Sequence, residues 1–210
     1  MPGTMTQPDL VADLKASLQL AADAFRDADD GAFKRHLQAA ALDFSCLRPR
    51  TLVGSITAVA DQSDYAAPTD FYEFKSSLWG VNRQAIKPWD TNWPGRLPLV
   101  RAVELAGVRK LSLDPAPTVL QIGVLGAEHK FYYYAVHQID VAVSASTTIA
   151  PGDRGLLLLR AQAEAMRELS MRNVNKPLAM RDGLNSQPRN GTPAYLFEAL
   201  MREFRERIAA

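Results

Sequence analysis

The chain has 210 residues, of which 47% are hydrophobic and 22% are charged, and its net charge is +1. This composition is that of an ordinary globular protein and excludes a mostly disordered chain, while the small net charge excludes a general electrostatic attraction to nucleic acid or an anionic membrane. Because the sequence contains neither a secretion signal nor an apolar run that could span a bilayer, we expect a protein made and kept in a cytoplasm.

Two amphipathic helices are predicted at the start of the chain. Thr6 to Asp9 form a capping pattern with a proline in the first turn, and Asp29 or Asp30 can begin the second helix. Pro49 ends that helix, because its ring disfavours helical backbone at the preceding residue. The apolar stripes of the two helices are Leu10, Leu14, Leu18, Ala22 and Phe25, and then Phe33, Leu37, Ala40, Phe44 and Leu47.

The middle of the chain changes to the two-residue period of β-strands. The run Phe131 to Tyr134 is either a stacking platform for bases or sugars, or a strand buried on one face and packed between subunits on the other. Trp79, Trp89 and Trp93 are either interface residues or anchors of their own loop. We predict strands at 52–59, 71–79, 111–113, 119–125 and 130–139, a hairpin joining the last two, a loop or arm at 80–98 and a short helix at 99–106.

A long helix is predicted after Ile149, and the rest of the chain is expected to pack around it. Asp153 is placed to cap its first turn. The apolar run 156–159 predicts burial on more than one side at this end. Opposite charges four residues apart, Arg160 with Glu164 and Glu168 with Arg172, predict ion pairs on an exposed face.

The C-terminal part contains a predicted mobile linker at 176–188 and an amphipathic helix at 193–208. An amphipathic helix on a linker is suited to docking on another protein. The predicted docking residues are Leu196, Phe197, Leu200, Arg202, Phe204 and Arg205.

These elements predict an α+β protein. An α-helical bundle, made of the N-terminal helix pair and the long central helix, is formed by residues 1–50 and 150–174. An antiparallel β-rich region is inserted at 51–149. A flexible linker and the amphipathic docking segment follow at 175–210.

The sequence offers no catalytic residue, cofactor-binding residue or metal ligand, so we expect no cofactor and no enzyme. His36, His129 and His137 form no zinc spacing and are expected at the surface or hydrogen-bonded, His129 in a hairpin turn. No nucleophile elbow or glycine-rich phosphate loop is present, although a triad assembled from distant residues stays open. Glu164 and Glu168 share a helix face, but their arginine neighbours favour solvated ion pairs over a catalytic carboxylate pair.

The single Cys46 excludes an internal disulfide and is predicted to be a small buried side chain at a helix end. Charge is divided between the two ends of the chain. Residues 1–47 contain seven Asp, no Glu and four Lys or Arg, a balance of about −3, while residues 151–210 contain ten basic and seven acidic residues, about +3. This division favours head-to-tail contacts between copies, although solvated faces without a role explain the same counts.

Several short sequence segments resemble those of a known protein family. They are LDFSCLRP at 42–49, DYAAPTDF at 64–71, LSLDPAP at 111–117, and FYYYAVHQ at 131–138 leading through STTIAPGD into the helix that ends with Arg172 and Asn173. With the order of elements, they resemble the head-to-tail adaptor, head-completion or connector proteins of tailed bacteriophages. The resemblance spans most of the chain.

The resemblance implies a structural virion protein of the neck, assembled in the host cytoplasm. Such a protein forms a homo-oligomeric ring, dodecameric when assembled, beneath the portal protein and contacts a tail or neck protein. DNA passes through the channel without sequence-specific binding, and no membrane is involved. The C-terminal segment is expected to reach onto the portal. Another tail-completion or baseplate protein, or a virion-associated cell-wall hydrolase, stays open as an alternative.

Overall fold

The computed structural model describes residues 5–25, 28–81, 86–139, 147–172 and 192–209. Within these ranges it combines five α-helices with two small antiparallel sheets, so the chain is an α+β protein, as predicted. The chain divides into a helical unit, formed by the described residues up to Arg48 and from His137 onward, and a β unit, Pro49–Val136. The predicted insertion, 51–149, extends beyond this β unit, and the predicted linker at 176–188 lies outside the described residues.

The helices and strands follow one another in the chain as α1 (Gln7–Leu18), α2 (Gly31–Leu47), β1 (Arg50–Thr57), β2 (Asp64–Ala66), β3 (Phe71–Ser77), β4 (Leu99–Leu105), β5 (Val108–Asp114), α3 (Val119–Leu125), β6 (Glu128–Ala135), α4 (Arg154–Arg172) and α5 (Pro193–Ala209).

The first two helices begin and end close to their predicted signals. The backbone N–H of Asp9 donates to the Thr6 hydroxyl at 3.4 Å, which confirms the cap of α1. Asp30 occupies the N-cap of α2 in left-handed backbone geometry, and its side chain makes an ion pair with Lys15 at 2.6 Å instead of capping the helix. Helix α2 ends before Pro49, as predicted.

Helix α4 is the centre of the helical unit, where it packs against α1, α2 and α5. Its apolar start is buried, as the run of leucines predicts. Small side chains follow, and because Ala161, Ala163 and Ala165 are fully buried, neighbouring elements can approach the helix closely. The core around it includes Leu10, Leu14, Phe25, Phe33, Leu37, Phe44, Leu157 and Phe204.

The β unit contains two three-stranded antiparallel sheets with strand orders β1-β6-β3 and β2-β5-β4. Strand β6 is central, and its Phe131 and Tyr133 are buried while Tyr132 is exposed, which confirms a strand with one buried face. Gly54 of β1 lies opposite Phe131. A Cβ atom at this position would lie only 2.6 Å from the Phe131 ring, so the aromatic packing requires glycine here.

Two elements of the β unit were predicted with the wrong type of secondary structure. Residues 119–125 form helix α3 because Thr118 and Gln121 make a capping box, so the predicted strand and its hairpin with 130–139 are wrong. Residues 99–105 form strand β4, where a short helix was predicted. Ala106 and Gly107 both have positive φ, as a type I′ hairpin turn requires, and this turn joins β4 to β5.

Candidate interaction site

The predicted docking segment forms α5, and the apolar face of this helix lies against the chain's own core. Phe204 is 1% exposed, and its ring centroid lies 6.0 Å from that of Phe44. Phe197 and Leu200 are partly buried against the same core. A partner could therefore reach these three side chains only if α5 left its place. The docking residues that remain exposed are Leu196, Arg202 and Arg205.

The predicted ion pair between Arg160 and Glu164 forms, but it is buried and not on an exposed face. Arg160 Nη1 donates to Glu164 Oε2 at 3.1 Å, and Arg160 also binds the carboxylate of Asp43 on α2. Arg167 binds the other oxygen of Glu164. Because guanidinium groups engage both oxygens, Glu164 is an ion-pair partner and is not placed to act as a general base.

The second predicted pair, Glu168 with Arg172, is confirmed and extends to a buried histidine. His36 Nε2 lies 2.7 Å from Glu168 Oε2, and the edge of its ring packs on Phe25. Partial burial raises the pKa of Glu168, but hydrogen bonds with His36 and Arg172 outweigh it and hold that pKa below its usual range. Arg172 also donates to the carbonyl of Ala24 at 2.6 Å. These contacts tie α2 and α4 to the segment that follows α1.

His129 lies in strand β6 and is 1% exposed, so the predicted hairpin-turn position is wrong. Its ring stacks on Trp79 with centroids 5.1 Å apart, and its Nε2 lies 2.9 Å from Ser77 Oγ. Burial lowers the pKa of His129 to about 4, so the ring is neutral near pH 7. Its Nδ1 has no hydrogen-bond partner among the described residues, so no described carboxylate orients a Ser-His pair.

One of the three tryptophans has the predicted anchoring role, and the other two are exposed. Trp79 is an anchor, because it is buried and its Nε1 donates to the carbonyl of Gly126 at 2.9 Å. Trp89 is 77% exposed, with Lys87 Nζ 5.2 Å from its ring centroid. Trp93 is also exposed. Large exposed aromatic side chains of this kind are typical of protein interfaces.

Helix α3 and the loop that carries these exposed tryptophans form a groove. Gln121 Nε2 donates to the carbonyl of Arg96 at 2.9 Å and holds the loop against the helix. Val119, at the start of α3, is 74% exposed. A cavity of about 520 Å³ opens between loop and helix, lined by Ile86, Asp90, Thr91, Asn92, Gly123 and Val124. We call this feature the Trp89 groove, after the exposed tryptophan next to Asp90 in the chain, and define it by the residues that line the cavity.

The helical side of the groove was missed because 119–125 is a short apolar run, which fits a strand or a helix equally well. The signal that distinguishes them is Thr118 followed three residues later by Gln121, the capping-box spacing. That pattern places Val119 and Gly123 on one side of a helix instead of alternating faces of a sheet.

His137 is hydrogen-bonded, as predicted, with its Nε2 at 2.9 Å from the carbonyl of Arg48. Its backbone N–H donates to the hydroxyl of Ser45 at 2.7 Å. Cys46 is exposed, so the predicted burial is wrong. The buried side of α2 includes Phe44 and Ser45, and the next position along the helix lies outside it.

Among the described residues, no cluster of His, Cys, Asp or Glu is arranged to hold a metal ion. None of the described helices combines the length and the apolar character needed to cross a membrane. No protein-family model matches the chain, and no curated protein matches it either.

Proposed function

We propose that this chain is a structural virion protein, a head-to-tail adaptor that forms a ring beneath the portal, joins the DNA-filled head to the tail and extends the DNA channel. The exposed tryptophans Trp89 and Trp93 carry the proposal, because large exposed aromatic side chains are typical of surfaces that bind another protein. The phrases that resemble phage adaptors, from LDFSCLRP to STTIAPGD, support it independently.

The division of the chain into a helical unit and a β unit is compatible with the adaptor function. Segments from both ends build the helical unit, which we propose is the helical bundle of the adaptor, and the β unit is its insertion. A heterologous contact that repeats about an axis closes into a ring when its rotation fits. Part of the opposite charge of the two ends is paired within the chain, since Arg154 binds Asp13 and Arg160 binds Asp43. The remaining charge of the acidic N-terminal and basic C-terminal segments favours such contacts between unlike surfaces.

We place the portal contact on the outward side of α5, at Leu196, Arg202 and Arg205. The double variant R202E with R205E reverses both charges and is expected to weaken binding to portal rings by at least about tenfold. Each substitution removes the attraction of an arginine for an anionic group of the portal and replaces it with the repulsion of a glutamate. The matched control is K75E with K130E, which changes the net charge equally at two exposed positions of the β unit.

Cosedimentation of the purified chain with portal rings and, separately, with tail tubes tests the proposal. The adaptor function predicts saturable binding to portal rings that the α5 variant weakens and the control variant keeps. Binding to tail tubes alone would assign the chain to tail completion or the baseplate. Release of fragments from peptidoglycan would instead identify a cell-wall hydrolase.

A further inference from the structure

Strand β1 is an edge of its sheet, and every second residue points its backbone polar groups away from the sheet. The strand pairs with β6 without a bulge from Arg50 to Thr57. The backbone N–H of Ala58 donates to the carbonyl of Ala127 at 2.7 Å and continues this ladder. Because backbone groups alternate in direction along a strand, the even-numbered residues of β1 face β6. The backbone groups that face outward belong to Thr51, Val53, Ser55 and Thr57.

This outward row is open over the length of the strand and closed only at its end. The next outward residue, Val59, donates its N–H to the hydroxyl of Tyr65 at 3.0 Å, and its carbonyl lies 3.2 Å from the same hydroxyl. Within the part of the chain that the structure describes, the outward N–H and C=O groups of residues 51–57 have no hydrogen-bond partner. We call this row the β1 edge.

The other sheet edges carry the features that prevent strands of different molecules from pairing. Strand β2 has only three residues, and β4 presents Arg101 and Glu104. Strand β3 has two irregularities in its register, and Arg109 donates to its Phe71 carbonyl at 3.0 Å. Short strands, charges, bulges and covering groups all block edge pairing, and the uncharged, regular β1 edge has none of them.

The sequence of β1 is suited to antiparallel pairing with itself about Gly54. Centred there, the pairing places uncharged side chains opposite each other, Thr51 with Thr57, Leu52 with Ile56, and Val53 with Ser55. The outward backbone groups of the odd-numbered residues then meet in hydrogen-bonded pairs. Gly54 meets its own copy in a non-hydrogen-bonded pair, where the two backbones approach most closely and glycine leaves room.

The apolar side chains of β1 favour the same register. Leu52 and Ile56 pack on the core around Phe131, but both are only partly buried. Pairing centred on Gly54 covers each of them with the other from the second copy. A shift by two residues would place Leu52 opposite Gly54 or Ala58 and reduce this apolar contact.

We propose that β1 of one copy pairs with β1 of a second copy, antiparallel and about a two-fold axis at Gly54, so that two sheets join into one. The same surface is used on both copies, and the contact therefore stops at a dimer. This inference goes beyond the proposed function and does not rest on it, because it concerns the chain before it meets a portal.

A proline at position 55 tests the backbone contact. S55P removes an N–H that points outward and places the proline ring on that side, while the ladder to β6 does not use this N–H. The sheet should stay folded, and the dimer dissociation constant should rise at least about tenfold. S55A is the matched control, because it also removes the hydroxyl and keeps the N–H.

A charge pair at positions 53 and 55 tests the register. Both side chains lie on the exposed face, with Val53 at 56% exposure. V53E with S55E places two glutamates directly opposite each other across the two-fold axis, so it should dissociate the dimer. V53K with S55E differs only at position 53, places lysine opposite glutamate and should keep the dimer.

Sedimentation velocity and native mass spectrometry at concentrations up to about 100 μM measure the assembly. The wild-type chain, S55A and V53K with S55E should reach twice 23.1 kDa, while S55P and V53E with S55E stay monomeric. Hydrogen exchange gives a second readout. The amides of Val53 and Ser55 should exchange slowly only in the dimer, and those of Leu52 and Ile56 slowly in both states.

A monomeric wild-type chain would overturn the proposal, as would dimers of S55P or of V53E with S55E as stable as the wild-type dimer. Loss of the dimer in V53K with S55E would overturn the register. The outcome is separate from that of the adaptor function. A β1 dimer that ignores portal rings would keep this inference and remove the adaptor function, and a monomer that adds to portal rings would do the reverse.

Discussion

His129 is a buried base that the fold keeps neutral. Its ring is enclosed by the stacked indole of Trp79, the hydroxyl of Ser77 and the edge of Phe131. A charged imidazolium at this position would lose its hydration without a described carboxylate to compensate, and this explains the lowered pKa.

Acid should therefore destabilise the β unit through His129. The unfolded chain binds a proton on this residue near pH 6.5, whereas the folded chain binds it only near pH 4. Between these two pH values the unfolded state holds more protons than the folded state. Lowering the pH from 7 to 5 therefore lowers the free energy of unfolding by about 2 kcal/mol.

Urea unfolding followed by tryptophan fluorescence measures this loss, because the three tryptophans all lie in the β unit. The variant H129F removes the titrating group and keeps an aromatic ring against Trp79. Its free energy of unfolding should fall less steeply between pH 7 and pH 5 than that of the wild type. Parallel pH profiles for the two proteins would show that His129 is not the group responsible.

At the residue scale, the sequence predicted which residues form ion pairs but not which residues are buried. The spacing of Arg160 and Glu164 predicts their ion pair, because residues four apart share a helix face. The spacing does not reveal that Asp43 of α2 covers that face, because helical periodicity shows which residues share a face but not which other element packs against it. His129 was misplaced because residues 119–125 were predicted as the first strand of a hairpin, and Cys46 because it lies outside the buried side of α2.

At the scale of elements, α5 shows that the apolar face of an amphipathic helix can pack against the core of its own chain. The spacing of its apolar residues predicts a helix with one apolar side, but the same pattern fits an internal neighbour or an external partner. The structure places α4 and α2 on that side, through Phe44 and the core around it. Arg202 and Arg205 stay exposed outside this apolar side.

Shortening Phe204 to alanine should cost about 3 to 5 kcal/mol of stability, because it leaves a cavity where the phenyl ring packs on Phe44. Thermal and urea unfolding followed by far-UV circular dichroism measure the change. R205A, at an exposed position of the same helix, should alter stability by about 0.5 kcal/mol or less. Equal stability of F204A and wild type would mean that α5 does not hold this place in solution.

Element type was predictable where a pattern is long or a cap is explicit. Helices α1, α2 and α4 have several turns of apolar spacing and end at recognisable signals such as Pro49. Strand β4 and helix α3 are seven residues each, too short for periodicity to separate strand from helix. The Trp89 groove could not be assembled from sequence because its helical side was predicted as a strand.

At the scale of the whole molecule, ring formation requires two unlike surfaces on each copy and a third for the portal. We assign the third to the exposed side of α5, at Leu196, Arg202 and Arg205. The charge reversal at Arg202 and Arg205 should therefore change portal binding.

The central claim is that this chain adds to the portal as a ring. The most direct measurement is the native mass of portal rings, encoded in the same genome, before and after mixing with the chain. We expect a discrete gain in whole multiples of 23.1 kDa, with one copy for each portal subunit. No gain in mass, with the chain folded and in excess, would contradict the adaptor function.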